Sequence, residues 1–389
     1  MDRESTKEID MLHFSDDEFA GRLSRTREAM AASGLDALLL FAPESQYWLT
    51  GYDTFGFCFF QCLVVPMDRD PVLLTRSADL RQAQLTSNIR EIRIWKDGAE
   101  AEPARDLAAL VADLGLVGKR LGWETATHGL THRNGMAVEA AIEGLTDIRG
   151  LMGRLRLVKS DAEIAYTRRA AHLADSAFES AMTKTRAGAD EGTILGAMHQ
   201  AIFEGGGDYP ANEFIIGSGE TALLCRYKSG RRRLDENDQL TLEWAGTYRH
   251  YHSANMKTVV IGRPRPQHSA MQEAAEEALL ACETTLKPGN TMGQVFDAHR
   301  QTFDRLGLGP HRLNACGYAL GPRFSPAWME DQMFYEDAPT IIEPGMVFFL
   351  HMILMDSETG TAMTLGRTSL VTGTGADPLG AMPIEMVVR

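Results

Sequence analysis

The residues best able to do chemistry lie between Asp238 and Thr258, in the stretch DQLTLEWAGTYRHYHSANMKT. Leu240 to Trp244 reads as a buried strand carrying a single carboxylate, Glu243. An acid inside an apolar strand is costly unless a cation, a donor or a proton compensates it. Glu243 is therefore the first functional candidate, with a structural ion pair as the plain alternative. Ala245-Gly246 reads as a small-residue turn, and a second strand follows with His250 and His252 two apart. Residues two apart in a strand share a face, so both imidazoles are expected to point the same way. Whether they meet Glu243 depends on register, which the sequence leaves open.

The whole chain bounds what such a site can serve. Its 389 residues are enough for two cored domains, and 44% hydrophobic with 24% charged residues describes an ordinary globular protein. A formal charge of -14 argues against nucleic acid as a partner, because phosphate binding needs a basic face. The five cysteines, Cys58, Cys62, Cys225, Cys282 and Cys316, are odd in number and scattered, so reduced thiols are expected, with no zinc site or disulfide framework. The N-terminal MDRESTKEIDMLHF is charged and lacks an apolar core, and no stretch reaches the ~18 apolar residues of a membrane span. A cytoplasmic protein with no membrane partner is the expectation.

The elements that must position Glu243 follow in chain order. A helix over 15–34 opens at Ser15, and DALLLFA follows as a short apolar strand. Pro43 to Tyr52 reads as a turn, and TFGFCFFQCLVVP as an aromatic-rich strand pair. The strands DPVLLTR, EIRIWK and RLGWE alternate with helical segments such as Glu102–Leu114, an α/β pattern filling about the first 150 residues. Tyr52 and Phe55 flank Gly51, Asp53 and Gly56, on a loop of the kind where binding residues concentrate. The segment Arg154–Ala170 marks the junction between domains at 1–153 and 154–389, and Ser160 with Glu163 forms a capping box that opens a helix to about Lys184. A helix at Asp190–Glu204, the strand EFIIGSG, the basic loop RYKSGRRR and the Glu243 hairpin come next. Helices near Ser269–Leu286 and Met292–Leu306, the glycine-punctuated loop ACGYALG and two strand-like runs, EPGMVFFLHMILM and GRTSLVTGTG, close an α+β second half.

Five landmarks in this order, RLVKSDAEIAYTRRA, the Asp238–Thr258 hairpin, CGYALG, EPGMVF and RTSLVTGTG, resemble the creatinase and aminopeptidase P family. The resemblance implies an α+β chain: an N-terminal α/β creatinase-type domain, then a pita-bread catalytic domain. Metallopeptidases of that family hold two metal ions with two aspartates, a histidine and two glutamates. Those positions fall here on Glu243, Ala254, Tyr318, His351 and Gly366. One acid remains and two positions carry no donor, so neither a metal nor any other cofactor is expected, nor peptidase chemistry. The creatinase base position falls on Arg226, and its substrate-binding glutamates fall near Met256 and on His351, so creatine is not the expected substrate either.

Metal-free rewiring of this kind is similar to that of the ectoine hydrolase branch, through CRYKSGRRRLDENDQLTLEWAGTYRHYHSANM and Tyr52 of GYDTFGF. The resemblance implies a hydrolase that opens a zwitterionic cyclic amidine, ectoine, to N-acetyl-L-2,4-diaminobutyrate. Acceptance of hydroxyectoine is left open. Glu243 is then nucleophile or base, and His252, His250 and His351 are the candidate acids, each against a structural alternative. Tyr318 is a candidate donor to the intermediate. Arg226 is first choice and Arg323 second for the substrate carboxylate, since a guanidinium grips it with two bonds. Lys228 and Arg231 to Arg233 read as a solvated face. The family's habit of pairing as homodimers implies that Tyr52 and Phe55 complete a partner's pocket. Two competing readings are a metal-free amidinohydrolase acting on a creatine-like guanidino acid and a catalytically inactive pita-bread binding module.

Overall fold

The computed structural model describes residues 11–228 and 230–389. Most of the charged N-terminal stretch and Ser229 of the basic loop lie outside the described residues. The chain forms two compact units, 1–156 and 157–389, which meet inside the short helix Leu151–Leu157. Among the described residues no helix is long and apolar enough to cross a membrane.

The first unit is built on a six-stranded mixed sheet, ordered Glu91–Trp95, Val72–Arg76, Cys62–Pro66, Ala37–Leu40, Leu121–Trp123 and Leu145–Asp147. Along Ala37–Leu40 the side chains alternate between two separate hydrophobic clusters, one on each face, which is why the strand reads as an unbroken apolar run. The helix Asp16–Ala32 starts as expected, with Ser15 accepting from the Glu18 N–H. Two readings are corrected. Residues Pro43–Thr50 form a helix rather than a turn. Its start is held by the Glu124 carboxylate, which accepts from the N–H groups of Phe41 and Ala42 and from the Ser45 hydroxyl. The aromatic run gives one 3-10 turn, Gly56–Cys58, and one strand, not a strand pair.

The second unit opens with the helix Asp161–Lys184, whose Ser160/Glu163 capping box is fully formed. It packs a large sheet ordered Met329–Met333, Gly317–Leu320, Val347–Asp356, Thr361–Thr372, Tyr251–Ile261, Asp238–Tyr248 and Ile215–Ser218. ACGYALG is thus a strand and not a loop, because the edge of Val347–Asp356 supplies its pairing partners. On one face, Trp244 stacks on Phe178 and donates its indole N–H to the Ala174 carbonyl at 2.9 Å. Gly246 permits that approach: a Cβ there would stand 1.9 Å from the Ala170 carbonyl oxygen. The fully buried Lys257 ammonium on the same strand pair donates to the carbonyls of Pro383, Ile384 and Glu385, fastening the final residues to the sheet.

The hairpin itself differs from expectation. Ala245-Gly246 continues the strand, which runs from Asp238 to Tyr248, and the turn is Arg249-His250 with φ of 50° and 65°. Both signs match the two-residue turn whose twist fits flanking strands. His250 is a turn residue, so the two imidazoles do not share a strand face.

Candidate active site

Register decides which side chains meet. Glu243 stands opposite Met256, Met256 opposite Gly366, and Gly366 opposite His351, one row across four strands. The neighbouring pair Ala245 and Ala254 and the pair Thr247 and His252 share that face. Tyr318 joins it from the next strand through its pairing with Phe349. Four strand steps separate Tyr318 from Glu243, roughly 19 Å if the sheet were flat. The Tyr318 hydroxyl nevertheless lies 3.4 Å from Glu243 Oε1. The sheet is therefore strongly curled, and its concave face draws residues from distant strands together.

Glu243 is 8% exposed, and burial pushes its carboxyl up to about 7. The Arg226 charge and the Tyr318 hydroxyl oppose that rise without cancelling it. Arg226 is exposed, with one guanidinium nitrogen 4.0 Å from Met329 Sδ, and its charge is felt by Glu243, Tyr318 and His351 together. Burial, reinforced by the Glu243 charge, holds the Tyr318 phenol protonated. His351 is lowered to about 4, mainly by burial, so it is neutral near pH 7; its Nδ1 has no partner among the described residues. Glu243, Tyr318, His351 and Arg226 thus form one constellation.

The other expected site residues stand elsewhere. His252 faces the same side, but its Nε2 accepts from the Ala211 N–H at 3.0 Å, and burial lowers it to about 3. It is a neutral imidazole with one nitrogen engaged, behind the Trp328 ring at 6.2 Å between centroids. His250 stacks on Phe324 at 4.0 Å in the turn. Arg323 is paired with the buried Glu330, 3.3 Å away, and donates to the Ala327 carbonyl. Tyr52 is not a loop residue open to ligand within its own unit: it is buried, 3.4 Å from Gln61 Oε1, and burial pushes its phenol up to about 12. Phe55 is 83% exposed.

Three neighbours escaped the sequence reading. Trp328 donates its indole N–H to the Tyr318 hydroxyl at 2.8 Å. Cys225 lies close enough to Glu243 for the carboxylate, after burial, to raise its thiol further, so it is no thiolate near pH 7. The Phe349 ring lies over Gly366, 2.9–3.0 Å from where a Cβ would stand. Adjacency to Arg226 was the one local signal for Cys225; nothing local marked Trp328 or the Phe349 ring.

A two-metal centre does not fit these residues. Ala254 and Gly366 bring no donor, Phe349 occupies the space above Gly366, and Glu243 is the one carboxylate of the row. Among the described residues no three His, Cys, Asp or Glu side chains are grouped so as to hold a metal ion.

Comparison with known proteins accounts for both units. Residues 22–158 match the creatinase/prolidase N-terminal domain, and residues 165–373 match metallopeptidase family M24. An uncharacterised hydrolase/peptidase of Sinorhizobium fredii is 30% identical over 97% of this chain and 99% of its own. The ectoine hydrolase of Halomonas elongata is 27% identical with the same coverages. A dipeptidase structure from Pyrococcus horikoshii superposes with a TM-score of 0.84 at 20% identity, covering 95% of this chain and all of that one. With its creatinase-type first domain and a curled pita-bread sheet in its second unit, the chain belongs to metallopeptidase family M24 and to its hydrolase fold.

Proposed function

We propose that this protein is a metal-independent hydrolase that opens the cyclic amidine ring of ectoine to N-acetyl-L-2,4-diaminobutyrate. The observation that carries this reading is the buried Glu243, the one carboxylate of its row, raised to about 7 and acted on by the charge of one cation, Arg226. Similarity to the Halomonas elongata ectoine hydrolase along nearly the whole chain supports the substrate. Ectoine presents an amidinium and a carboxylate, the complement of that pair. A docked amidinium restores the ionised form of Glu243 that burial disfavours, and brings a carboxylate oxygen against the electrophilic carbon. The oxygen then attacks that carbon, giving an acyl-type intermediate that water cleaves, or it deprotonates the attacking water. Either route consumes one water and leaves an amide and a primary ammonium. Neutral His351 starts as a proton acceptor, so it hands a proton to the departing nitrogen only after taking one from water.

The test is ring opening by purified protein after exhaustive chelation, followed by proton NMR, against ectoine, hydroxyectoine and creatine-like guanidino acids. Undiminished loss of the ectoine ring is the expected result. Turnover that returns only with added metal sinks the metal-independent chemistry, and turnover of a guanidino acid alone sinks the substrate. A second expectation concerns Arg226→Ala. Losing a two-bond grip on the substrate carboxylate should raise KM by about 10- to 100-fold while kcat changes little. An unchanged KM would mean the carboxylate is held elsewhere.

A further inference from the structure

Glu243 and Tyr318 do not meet by chance orientation of a rotating hydroxyl. A tyrosine hydroxyl has one proton to give and lone pairs to receive, whereas an indole N–H only donates. Trp328 Nε1 donates to Tyr318 Oη at 2.8 Å. The hydroxyl is therefore the acceptor in that bond, and its own proton remains for another group. Among the described residues Glu243 Oε1, at 3.4 Å, is the one acceptor it reaches. Glu243 Oε2 accepts no hydrogen bond from any described residue, so the two carboxylate oxygens are unequal.

Trp328 is itself fixed. It is 1% exposed, and its backbone N–H donates to Asn212 Oδ1 at 3.1 Å. The residue before that asparagine, Ala211, donates its N–H to His252 Nε2 at 3.0 Å. Strand residue His252 thus anchors the 211–212 segment, which pins the backbone of Trp328, whose ring orients Tyr318. This gives the one inward-facing histidine of the hairpin a place in the site without contact with a substrate.

We propose that Trp328 is a positioning residue: its indole N–H engages the Tyr318 hydroxyl as an acceptor and so directs that hydroxyl's proton onto Glu243 Oε1, leaving Oε2 as the reacting oxygen. His252 and Asn212 hold it in place. The proposal rests on Glu243 as the reacting group, and it concerns how that carboxylate is prepared before any substrate binds. A hydroxyl that accepts one hydrogen bond donates more strongly in the next, so the relay favours the ionised carboxylate.

The experiment titrates Glu243 in the full, substrate-free chain by infrared spectroscopy, identifying its protonated carboxyl band by its loss in Glu243→Gln. Tyr318→Phe should move the midpoint up by about one pH unit, and Trp328→Phe by about half of that. In the Tyr318→Phe background, Trp328→Phe should add nothing, because the indole acts only through the hydroxyl. An unmoved midpoint in Trp328→Phe, or an equal shift with and without the hydroxyl, overturns the proposal. If Trp328→Phe yields no folded protein, Asn212→Ala gives the same readout: releasing the Trp328 backbone should shift the midpoint upward, and an unmoved midpoint overturns the relay. Because no substrate is present, failure of ectoine turnover would overturn the substrate reading and leave this result to stand or fall alone.

Discussion

Glu243→Gln should abolish measurable ring opening, a loss of about 10³-fold or more, and at the same time make the protein more stable near neutral pH. Both halves come from one side chain. A positioned base or nucleophile contributes about 10²- to 10⁴-fold, and an amide supplies neither role. The stability half follows from linkage. The Glu243 carboxyl ordinarily ionises near 4.5 and is raised to about 7 in the fold. In acid both folded and unfolded chains carry it protonated, and no cost arises. As pH rises from 4.5 through 7 the unfolded chain sheds the proton first, so folding stability from this group is lost over that window. Above pH 7 the cost approaches roughly 3 kcal/mol, from one pKa unit being about 1.4 kcal/mol. Glutamine, never charged, removes it. Urea unfolding of wild type and variant at pH 5 and pH 8 checks the sign: the gap should open at pH 8. Wild-type kcat/KM should fall as pH drops below about 7. Retained turnover in the variant would remove Glu243 from the chemistry; a gap that widens in acid would show that Glu243 is held ionised.

Gly246→Ala should destabilise the second unit by about 3 kcal/mol, despite alanine's innocuous size. The added methyl would stand 1.9 Å from the Ala170 carbonyl oxygen and 2.5 Å from the Ala174 nitrogen. Both belong to helix backbone, which cannot turn aside as a side chain can. The helix Asp161–Lys184 must back away from the sheet, weakening the Trp244 bond to Ala174 and the stack on Phe178. Gly196 is the control: a Cβ there meets nothing within 4 Å, and it lies inside a helix, so Gly196→Ala should gain about 0.5–1 kcal/mol. Unfolding midpoints of the two variants should therefore move in opposite directions. Equal midpoints would mean that the helix yields at little cost.

What the sequence made legible was local. Ser160 and Glu163 satisfy one another's backbone within a single turn, so their pattern fixes a helix start wherever the chain goes. Glu243 was conspicuous because a lone acid in an apolar strand has few explanations. The errors share a different cause. The helix Pro43–Thr50 is started by Glu124, some eighty residues on, and carries no local signature of that partner. Ala245-Gly246 looked like a turn because glycine permits one, yet there it permits a helix to approach. The true turn, Arg249-His250, is formed by residues that rarely adopt positive φ, so composition concealed it. Trp328 and Phe349 entered the site through curvature of the sheet, which no stretch of sequence specifies by itself. Tyr318 and His351 share the Glu243 face, whereas His250 stacks on Phe324 in the turn and Arg323 pairs with Glu330, partners that no local pattern announces.

The order in which the strands leave the ribosome differs from the order in which they lie. Thr364 donates its N–H to the Thr258 hydroxyl, a partner made 106 residues earlier. Until Thr361–Thr372 is synthesised, the Glu243 hairpin has an unpaired edge, and Tyr318 and His351 have no surface across which to reach it. Such long-range pairing folds slowly and exposes sticky edges while it waits. Catalytic competence is therefore a late event in the life of each molecule, and the appearance of activity during refolding should report closure of the last gap in the sheet.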